Sequence, residues 1–329
     1  MTQFDSPVVA VDIGGTKIMT AVFSNDGRML AKDVCPTLVD EGVDAVIERL
    51  ASAIYTILNR NGLVTSRLAG IGIACAGGID SASGVVVTPS PNLPDWFDIP
   101  LQDIIEKRFN IDTFVLNDAS AAALGEQRFG AGQEVKNLVL VTLGTGIGGG
   151  IIIEGNLYLG ARGSAGELGH MTVDEGGPVC GCGNIGCLEV MASGRAVARE
   201  AIRRLVQGEK SSLTEMADGK VESITTEQVA AAAAAGDSLA LYVLSRASHY
   251  LGVGLVNIVN AFNPEMIILG GGMAELDSLY VEPAKKLVIE RAFSISTRNL
   301  SIVTAQLGNE AGVYGAAAYA IEQITGRTA

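Results

Sequence analysis

Short apolar runs that end in glycine-rich turns recur along the chain, with helical patterns between them. The first run, 8–13, leads into a turn at 14–17, and residues 18–30 predict two further strands joined by a tight turn at Asn25-Asp26-Gly27. Residues 41–61 carry apolar side chains at helical spacing, which predicts an amphipathic helix. This alternation of strands and helices indicates an α/β protein.

The same pattern continues to the end of the chain. Buried strands are predicted at 68–77, 112–117 and 266–272, and an alanine-rich helix follows the second of them. Thr225 and Gln228 have the spacing of a capping box at the start of another alanine-rich helix. Further helices are expected over 237–262 and from about Gly308 onwards.

One unit of the pattern occurs twice. Residues 138–156 align with residues 8–26 at a constant offset of 130 residues, through a strand, a glycine-rich turn, a second strand and a polar turn. A single repeat at so long a spacing favours two related half-domains over a solenoid. The alternative is two unrelated glycine-rich hairpins.

Composition and charge exclude several classes of protein. The chain has 329 residues, of which 48% are hydrophobic and 18% charged, which suits about two globular domains and excludes an intrinsically disordered protein. Its mean hydropathy is +0.34. The formal net charge of −13 disfavours binding to nucleic acid or to an anionic membrane surface.

A membrane-spanning or secreted protein is not expected either. The longest purely apolar run, 229–235, is far shorter than the about 20 residues that a transmembrane helix needs. The first residues lack a basic region followed by a long apolar stretch, so no signal peptide is expected. We therefore expect a cytoplasmic protein.

Both repeated turns carry residues suited to phosphate binding. Small residues let the backbone approach a ligand closely, and consecutive N–H groups can cradle phosphate oxygens. Asp12 is placed to hold Mg²⁺, and Thr16 or Lys17 to contact phosphate. Neither turn fits the P-loop or Rossmann pattern, and the alternative is that the glycines are only hairpin corners. The candidate residues are Asp12, Gly14, Gly15, Thr16 and Lys17 in the first turn and Gly144, Thr145 and Gly146 in the second.

The most specific local signal is a set of metal-binding side chains. Four residues within 18 positions supply a complete tetrahedral set of ligands for Zn²⁺: His170, Cys180, Cys182 and Cys187. A complete set leaves no coordination position for a reactive water. A structural zinc is therefore predicted, the alternative being three reduced thiols in a glycine-rich loop. Glu167 and Glu189 flank the cluster, and with the second ring nitrogen of His170 they suit the hydroxyl groups of a sugar. Either glutamate could instead be a solvated surface charge.

A further pair of polar residues, Asn117 and Asp118, follows an apolar strand and precedes a helix. Side chains at the carboxyl ends of strands in α/β folds face the ligand crevice. The alternative function for Asp118 is to cap the helix that follows.

Together these motifs resemble one family. Five segments occur in the order found in the ROK family of repressors, open reading frames and sugar kinases. They are Val11 to Lys17, Leu116 to Ala119, Leu143 to Gly148, Gly166 to His170 and Cys180 to Glu189. The resemblance implies a duplicated ribonuclease-H-like fold of the actin-like ATPase and hexokinase type, with two domains around a cleft that holds ATP and Mg²⁺. It also implies a structural zinc and transfer of a phosphoryl group to a hexose.

The resemblance assigns roles to particular residues. It implies that Asp118 is the catalytic base and that Gly270, Gly271 and Gly272 lie beside the adenosine. It implies a small domain of residues 1–118 with about 308–329, and a large domain of 119–307 that includes the zinc loop, 170–187. The implied sugar ligands are Asn117, Asp118, Glu167, His170 and Glu189, with the loops at Gly78 and at Pro91-Asn92-Leu93-Pro94 as further elements of the sugar site.

Glucose is the expected hexose because residues 91–96 resemble a loop of the family's glucose kinases. An N-acetylmannosamine kinase is the nearest alternative. A sugar-sensing repressor would need a helix-turn-helix segment, for which the expected first strand at residue 8 leaves no room. A polymerising ATPase would not explain the zinc loop. The resemblance also suggests a homodimer.

Overall fold

In the computed structural model the described residues are 6–90 and 92–327. Twelve strands are formed by these residues: β1 Val8–Ile13, β2 Lys17–Phe23, β3 Met29–Pro36, β4 Gly70–Cys75, β5 Gly78–Asp80, β6 Val85–Thr88, β7 Thr113–Asn117, β8 Leu138–Leu143, β9 Ile147–Ile153, β10 Asn156–Leu157, β11 Met266–Gly270 and β12 Ser301–Thr304.

The same described ranges contain eleven α-helices: α1 Val43–Arg60, α2 Leu101–Phe109, α3 Asp118–Phe129, α4 Leu188–Ala192, α5 Gly194–Val206, α6 Leu213–Met216, α7 Thr226–Ala234, α8 Ser238–Phe262, α9 Glu282–Arg291, α10 Ser294–Thr297 and α11 Ala311–Arg327. A π-helical turn, Asp277–Val281, precedes α9.

The two large sheets have the same topology. The first has the strand order β3-β2-β1-β4-β7 and the second the order β10-β9-β8-β11-β12. In the first, β1 pairs antiparallel with β2 and parallel with β4, and in the second β8 pairs parallel with β11. The matching order confirms the predicted repeat, since β8 and β9 have the bounds of β1 and β2 shifted by 130 residues.

The remaining local predictions also hold. The predicted hairpin is formed by β2 and β3, which pair antiparallel. Thr225 and Gln228 form the predicted capping box, in which each side chain accepts a hydrogen bond from the other's backbone N–H. The last helix begins slightly later than expected, because a 3₁₀ turn, Gly308–Glu310, comes before α11.

The chain divides into two compact units. Unit 1 comprises 1–136, 150–166 and 306–329, and unit 2 comprises 137–149 and 167–305. This division differs from the predicted one, in which α3 begins the second domain. The reason is that α3 packs on α11 through Gly125 and Gly315, where a Cβ on either residue would overlap the backbone of the other helix.

Each unit has its own apolar core. In unit 1, Leu50 and Ile54 of α1 pack with the first sheet, and Trp96 is buried in the same cluster. In unit 2, α8 packs on α4, α5, α7 and α9. Of the described helices, α8 alone is long and apolar enough to span a membrane, and more than half of its most apolar stretch is buried inside the protein. Those contacts make it the core helix of this unit.

Candidate functional site

Two carboxylates, Asp12 and Asp118, lie at the carboxyl ends of β1 and β7 in unit 1, with β4 between these two strands. Asp12 of β1 pairs with Ala74 of β4, and the next residue of β4, Cys75, pairs with Asn117 of β7. Burial and repulsion by the Asp118 carboxylate raise the pKa of Asp12 from 3.8 to about 7, while Lys17 acts in the opposite direction. Such a pair suits a divalent cation, whose charge offsets the repulsion.

Asn117, rather than Asp118, caps the helix. The Asn117 side chain accepts hydrogen bonds from Ala119 N at 3.0 Å and Ser120 N at 3.1 Å. Asp118 is the first residue of α3 and is half-buried, and its Oδ1 accepts a hydrogen bond from Ala119 N at 2.8 Å. The capping role considered for Asp118 therefore belongs to its neighbour.

The first glycine-rich turn is closed by its own backbone and supported by β3 and the residue after it. Gly14 N donates to Lys17 O at 3.0 Å. Thr37 N donates to Thr16 O at 3.0 Å, and Thr37 Oγ1 donates to Gly14 O at 2.6 Å. Thr37 is a residue that the sequence analysis missed, because nothing in its local pattern marks it.

Asn92 lies against this turn. A Cβ on Gly15 would be 2.8 Å from Asn92 O, so only glycine allows this approach. Asn92 is exposed, whereas Leu93 beside it is buried and fixes the loop. Pro91 of the predicted sugar loop lies outside the described residues.

Gly78 begins the small sheet formed by β5 and β6, where its N–H donates to Thr88 Oγ1 at 3.1 Å. The preceding residue, Gly77, accepts a hydrogen bond on its carbonyl from Asn117 Nδ2 at 3.0 Å. The structure thus joins two predicted sugar-site elements, Gly78 and Asn117, through one loop.

The second glycine-rich turn, in unit 2, is held by the start of α5. Gly144 N donates to Gly146 O at 3.0 Å, and Gly194 N donates to Gly144 O at 2.9 Å. Arg195 N lies 3.4 Å from Thr145 O. This support was not predicted. The sequence does contain a sign of the start of α5, because Ser193 is a residue type that favours the N-cap position.

The predicted adenosine segment lies beside this turn in unit 2. Gly270 ends β11, and Gly271 has a φ of +86°. A Cβ on Gly271 would lie 2.5 Å from Leu143 O at the end of β8. This distance is too short, so no residue with a side chain fits here. Gly272 is exposed, with nothing within 4 Å of the place its Cβ would take. Gly271 is thus needed for close packing, whereas the backbone of Gly272 is open to a ligand.

The two flanking glutamates have different surroundings. Glu189 is half-buried and its Oε2 accepts a hydrogen bond from Ile147 N at 3.0 Å. Glu167 is 51% exposed, and its Oε2 lies 3.8 Å from His170 Nε2. Partial burial raises the pKa of Glu167. The nearby Glu189 carboxylate raises this pKa further, whereas His170 lowers it. Glu189 is therefore not a solvated surface charge.

The four predicted metal ligands come together in unit 2. Their ligand atoms all lie within 4.8 Å of one another, with His170 Nδ1 3.6 Å from Cys180 Sγ and Cys182 Sγ 3.7 Å from Cys187 Sγ. Zn–S bonds of about 2.3 Å in a tetrahedron place two sulfurs about 3.8 Å apart, so the cluster fits zinc. His170 directs Nδ1 to the thiols and Nε2 to Glu167, as expected if one nitrogen binds metal and the other stays available.

The zinc loop is also tied to α8. Tyr250 Oη donates to Asp174 Oδ2 at 2.6 Å, and Asp174 Oδ1 accepts from Gly176 N at 3.0 Å. Gly186, at a φ of +64°, packs its Cα on the Asp174 carbonyl. Asp174 and Tyr250 are not predictable from the sequence, because their contact joins residues 76 positions apart in the chain.

The chain is similar to known proteins over nearly its whole length. A family model described as ROK family matches residues 8–323. A glucokinase of Thermotoga maritima is 36% identical over 319 residues, which cover 97% of this chain and 98% of the relative. A xylose repressor of Caldicellulosiruptor bescii is 32% identical over 318 residues, covering 96% of this chain and 78% of the repressor.

The fold is shared with solved structures as well. The crystal structure of a ROK family glucokinase from Streptomyces griseus in complex with glucose and AMPPNP matches with a TM-score of 0.80 and 35% identity, covering 94% of this chain and 98% of that one. The predicted fold class, that of actin-like ATPases and hexokinases, is confirmed.

Proposed function

The chain belongs to the ROK family and is a sugar kinase, and on that premise we propose that it transfers the γ-phosphoryl group of ATP to glucose. The observation that carries the proposal is the pair of carboxylates, Asp12 and Asp118, held close together at the strand ends of unit 1. Relatives that match nearly the whole chain are named glucokinases, and the similar Streptomyces griseus enzyme was solved with glucose and AMPPNP.

Asp118 is the proposed general base. Phosphoryl transfer passes through a loose transition state in which positioning and charge stabilisation supply most of the catalysis. Asp118 accepts the proton of the attacking hydroxyl, O6 of the hexose, and holds that oxygen in line with the phosphoryl group. Its bond from Ala119 N and its place at the start of α3 fix the carboxylate and stabilise its negative charge.

Asp12 is the proposed ligand for Mg²⁺, directly or through water. When bound, Mg²⁺ neutralises charge on the transferred phosphoryl group. The Asp12 carboxylate packs against Gly312 at the start of α11, where any side chain would collide with it. This contact fixes the direction of the carboxylate without adding a competing charge.

The two repeated turns are the proposed phosphate-binding elements. Their backbone N–H groups would neutralise phosphate oxygens, with Thr16 or Lys17 as a further contact. Gly270, Gly271 and Gly272 are proposed to lie beside the adenosine. The residues assigned to nucleotide binding are therefore Asp12, Gly14, Gly15, Thr16 and Lys17 in unit 1, and Gly144, Thr145, Gly146, Gly270, Gly271 and Gly272 in unit 2.

Hexose binding is proposed for the residues that the family resemblance names. They are Gly78, Asn92, Asn117, Glu167, His170 and Glu189. A structural zinc held by His170, Cys180, Cys182 and Cys187 would fix the position of the imidazole. His170 can then offer Nε2 to a sugar hydroxyl because Nδ1 faces the thiols. We also propose that the protein is cytoplasmic and forms a homodimer, which light scattering would test.

The test is ADP release by the purified protein with ATP and Mg²⁺ against glucose, mannose, N-acetylglucosamine and N-acetylmannosamine. We expect kcat/KM for glucose to exceed the values for both N-acetyl sugars by at least an order of magnitude. A higher value for N-acetylmannosamine would move the proposal to an amino-sugar kinase. Sugar binding without phosphorylation of any of the four would contradict it and favour a sensory role.

A further inference from the structure

Glu189 connects the zinc loop with the second glycine-rich turn inside unit 2. It follows the cluster residue Cys187 by two positions, at the start of α4. Its Oε2 accepts a hydrogen bond from Ile147 N at 3.0 Å and lies against the Cα of Gly146. A residue expected to bind sugar is therefore bonded to the backbone of the turn expected to bind phosphate.

The peptide groups of Ile147 are held from two sides by residues around the metal cluster. Gly169, next to His170, packs so closely on the Ile147 carbonyl that a Cβ would overlap it. The N–H of Ile147 donates its hydrogen bond to the Glu189 carboxylate. The turn can therefore not move alone: a shift of Ile147 must displace the Glu189 carboxylate, the 169–170 segment, or both.

The chain beyond Glu189 reinforces this connection. Ser193 N donates to Glu189 O at 3.1 Å, and Gly194 N donates to Gly144 O at 2.9 Å. The segment from Glu189 to Gly194 thus contacts the turn at both of its ends. Glu189 is the only residue of these whose side chain carries a charge.

We propose that Glu189 is a positioning residue for the turn of Gly144, Thr145 and Gly146, and that it couples hexose binding to nucleotide binding. The inference rests on the proposed function, which assigns the hexose to Glu189 and the phosphates to this turn. It adds a second role for this side chain, exerted through Ile147 N, that sugar recognition alone does not require.

The physical reason lies in the two oxygens of the carboxylate. A hydrogen bond from a backbone N–H to a carboxylate is stronger than one between neutral groups, so Oε2 holds the turn firmly. A hexose hydroxyl that donates to Oε1 restricts rotation of the carboxylate and thereby orders Ile147 and the turn. Nucleotide then binds to a turn that is already ordered, and by linkage it strengthens hexose binding by the same factor.

The experiment measures affinity for a non-hydrolysable ATP analogue with Mg²⁺ by calorimetry, with and without glucose, in the zinc-loaded protein. Glu189→Ala removes the acceptor for Ile147 N, whereas Glu189→Gln keeps an acceptor oxygen in the same place. Glu290→Ala is the matched control, because it removes a carboxylate from an exposed position of α9 in the same unit. Circular dichroism and zinc content establish that each variant is folded.

Without glucose, we expect Glu189→Ala to weaken analogue binding about tenfold, and Glu189→Gln and Glu290→Ala to change it less than threefold. With glucose, the wild type should bind the analogue at least fivefold more tightly, and Glu189→Ala should lose this gain. Should Glu189→Ala fail to fold, the Gln variant still tests the coupling: it should keep nearly wild-type affinity without glucose and lose the gain that glucose brings, because its NH2 group cannot accept the hydrogen bond that the hexose hydroxyl donates to Oε1.

Wild-type affinity of a folded Glu189→Ala variant without glucose would overturn the inference. So would equal losses in the Ala and Gln variants, since the acceptor oxygen would then not matter. The proposed function is tested separately by wild-type turnover. If the wild type phosphorylates glucose while Glu189→Ala binds the analogue normally, only the positioning role fails.

Discussion

At the scale of single residues, the Asp118 carboxylate lies close enough to Asp12 to help raise the pKa of the Asp12 carboxyl group. The sequence predicted Asp12 from its glycine-rich turn and Asp118 from the end of its strand, and it left open whether Asp118 only caps α3. Asn117 is the N-cap residue of α3, because its side chain accepts hydrogen bonds from Ala119 N and Ser120 N. The sequence could not predict this division, because adjacent Asn and Asp residues are equally good caps.

The raised pKa of Asp12 has a consequence for stability. Its pKa is about 7 in the folded protein against 3.8 without the surrounding structure, so the folded state binds more protons between those pH values. The free energy of unfolding therefore falls as pH rises from about 4 to about 7, by up to about 4 kcal/mol.

Asp12→Asn removes this loss because the amide carries no charge. We expect the variant to be more stable than the wild type at pH 8 and similar to it near pH 4, in urea unfolding without Mg²⁺ or nucleotide. Asp103→Asn, at an exposed site on α2, is the control and should follow the wild type. If the free energies of unfolding of Asp12→Asn and wild type differed by the same amount from pH 4 to pH 8, the assigned pKa would be contradicted.

The contacts missed at this scale share one cause. Each of these residues contacts a partner that is distant in the chain or acts through its backbone, and such contacts leave no pattern in the local sequence. The residues are Thr37, Asp174, Tyr250 and Gly194. The zinc cluster was predictable because all four ligands fall in one short segment. The bond from Ile147 N to Glu189 was not, since it joins residues 42 positions apart.

At the scale of elements, the glycine-rich contact between α3 and α11 decides which helix belongs to which unit. Periodicity predicted both helices but carries no information about their partners. Gly125 lies on the backbone of Ala311, and Gly315 on that of Ala121, so the two helices approach backbone to backbone. This explains why the predicted domain boundary at residue 118 separates α3 from the unit in which it packs.

Gly315→Ala tests this contact. The added methyl group would overlap the Ala121 carbonyl, so we expect a loss of about 1 to 3 kcal/mol in the free energy of unfolding. Gly326→Ala in the same helix is the matched control, since nothing lies within 4 Å of its Cβ position, and it should be neutral or slightly stabilising. Equal stability of the two variants in thermal unfolding would contradict the close packing.

The repeated half-domain was the most predictable feature at this scale. A constant offset through two strands and their turns required the same strand pairing in both copies, and the two sheets have it. The copies differ at the edge, where β3 has 8 residues and β10 has 2. The sequence alignment ended before this difference and could not predict it.

At the scale of the whole molecule, the order of five motifs predicted the family, and with it the fold and the class of reaction. The hexose was less predictable, because selectivity depends on how side chains surround one substituent of the sugar. The proposed zinc is the component whose loss should affect the molecule most widely, since the cluster that could hold it adjoins Glu167, Glu189 and the loop held by α8.

Cys182→Ser tests the role of zinc. Loss of one thiolate ligand should lower the bound zinc to well below one ion per chain, reduce the melting temperature and raise KM for glucose at least tenfold. Cys35→Ser, on β3 and outside the cluster, is the control and should keep its zinc. A Cys182→Ser protein that is free of zinc but has wild-type KM and melting temperature would contradict a structural role for the metal.

The central claim is that this chain phosphorylates glucose with ATP and that Asp118 is the base. The most direct measurement follows formation of glucose 6-phosphate by phosphorus NMR with purified wild type and Asp118→Asn, at saturating ATP, Mg²⁺ and glucose. We predict product from the wild type, and from the folded, glucose-binding variant a turnover lower by about 10² to 10⁴. No phosphorylated glucose from the wild type, or near-normal turnover by Asp118→Asn, would contradict the account.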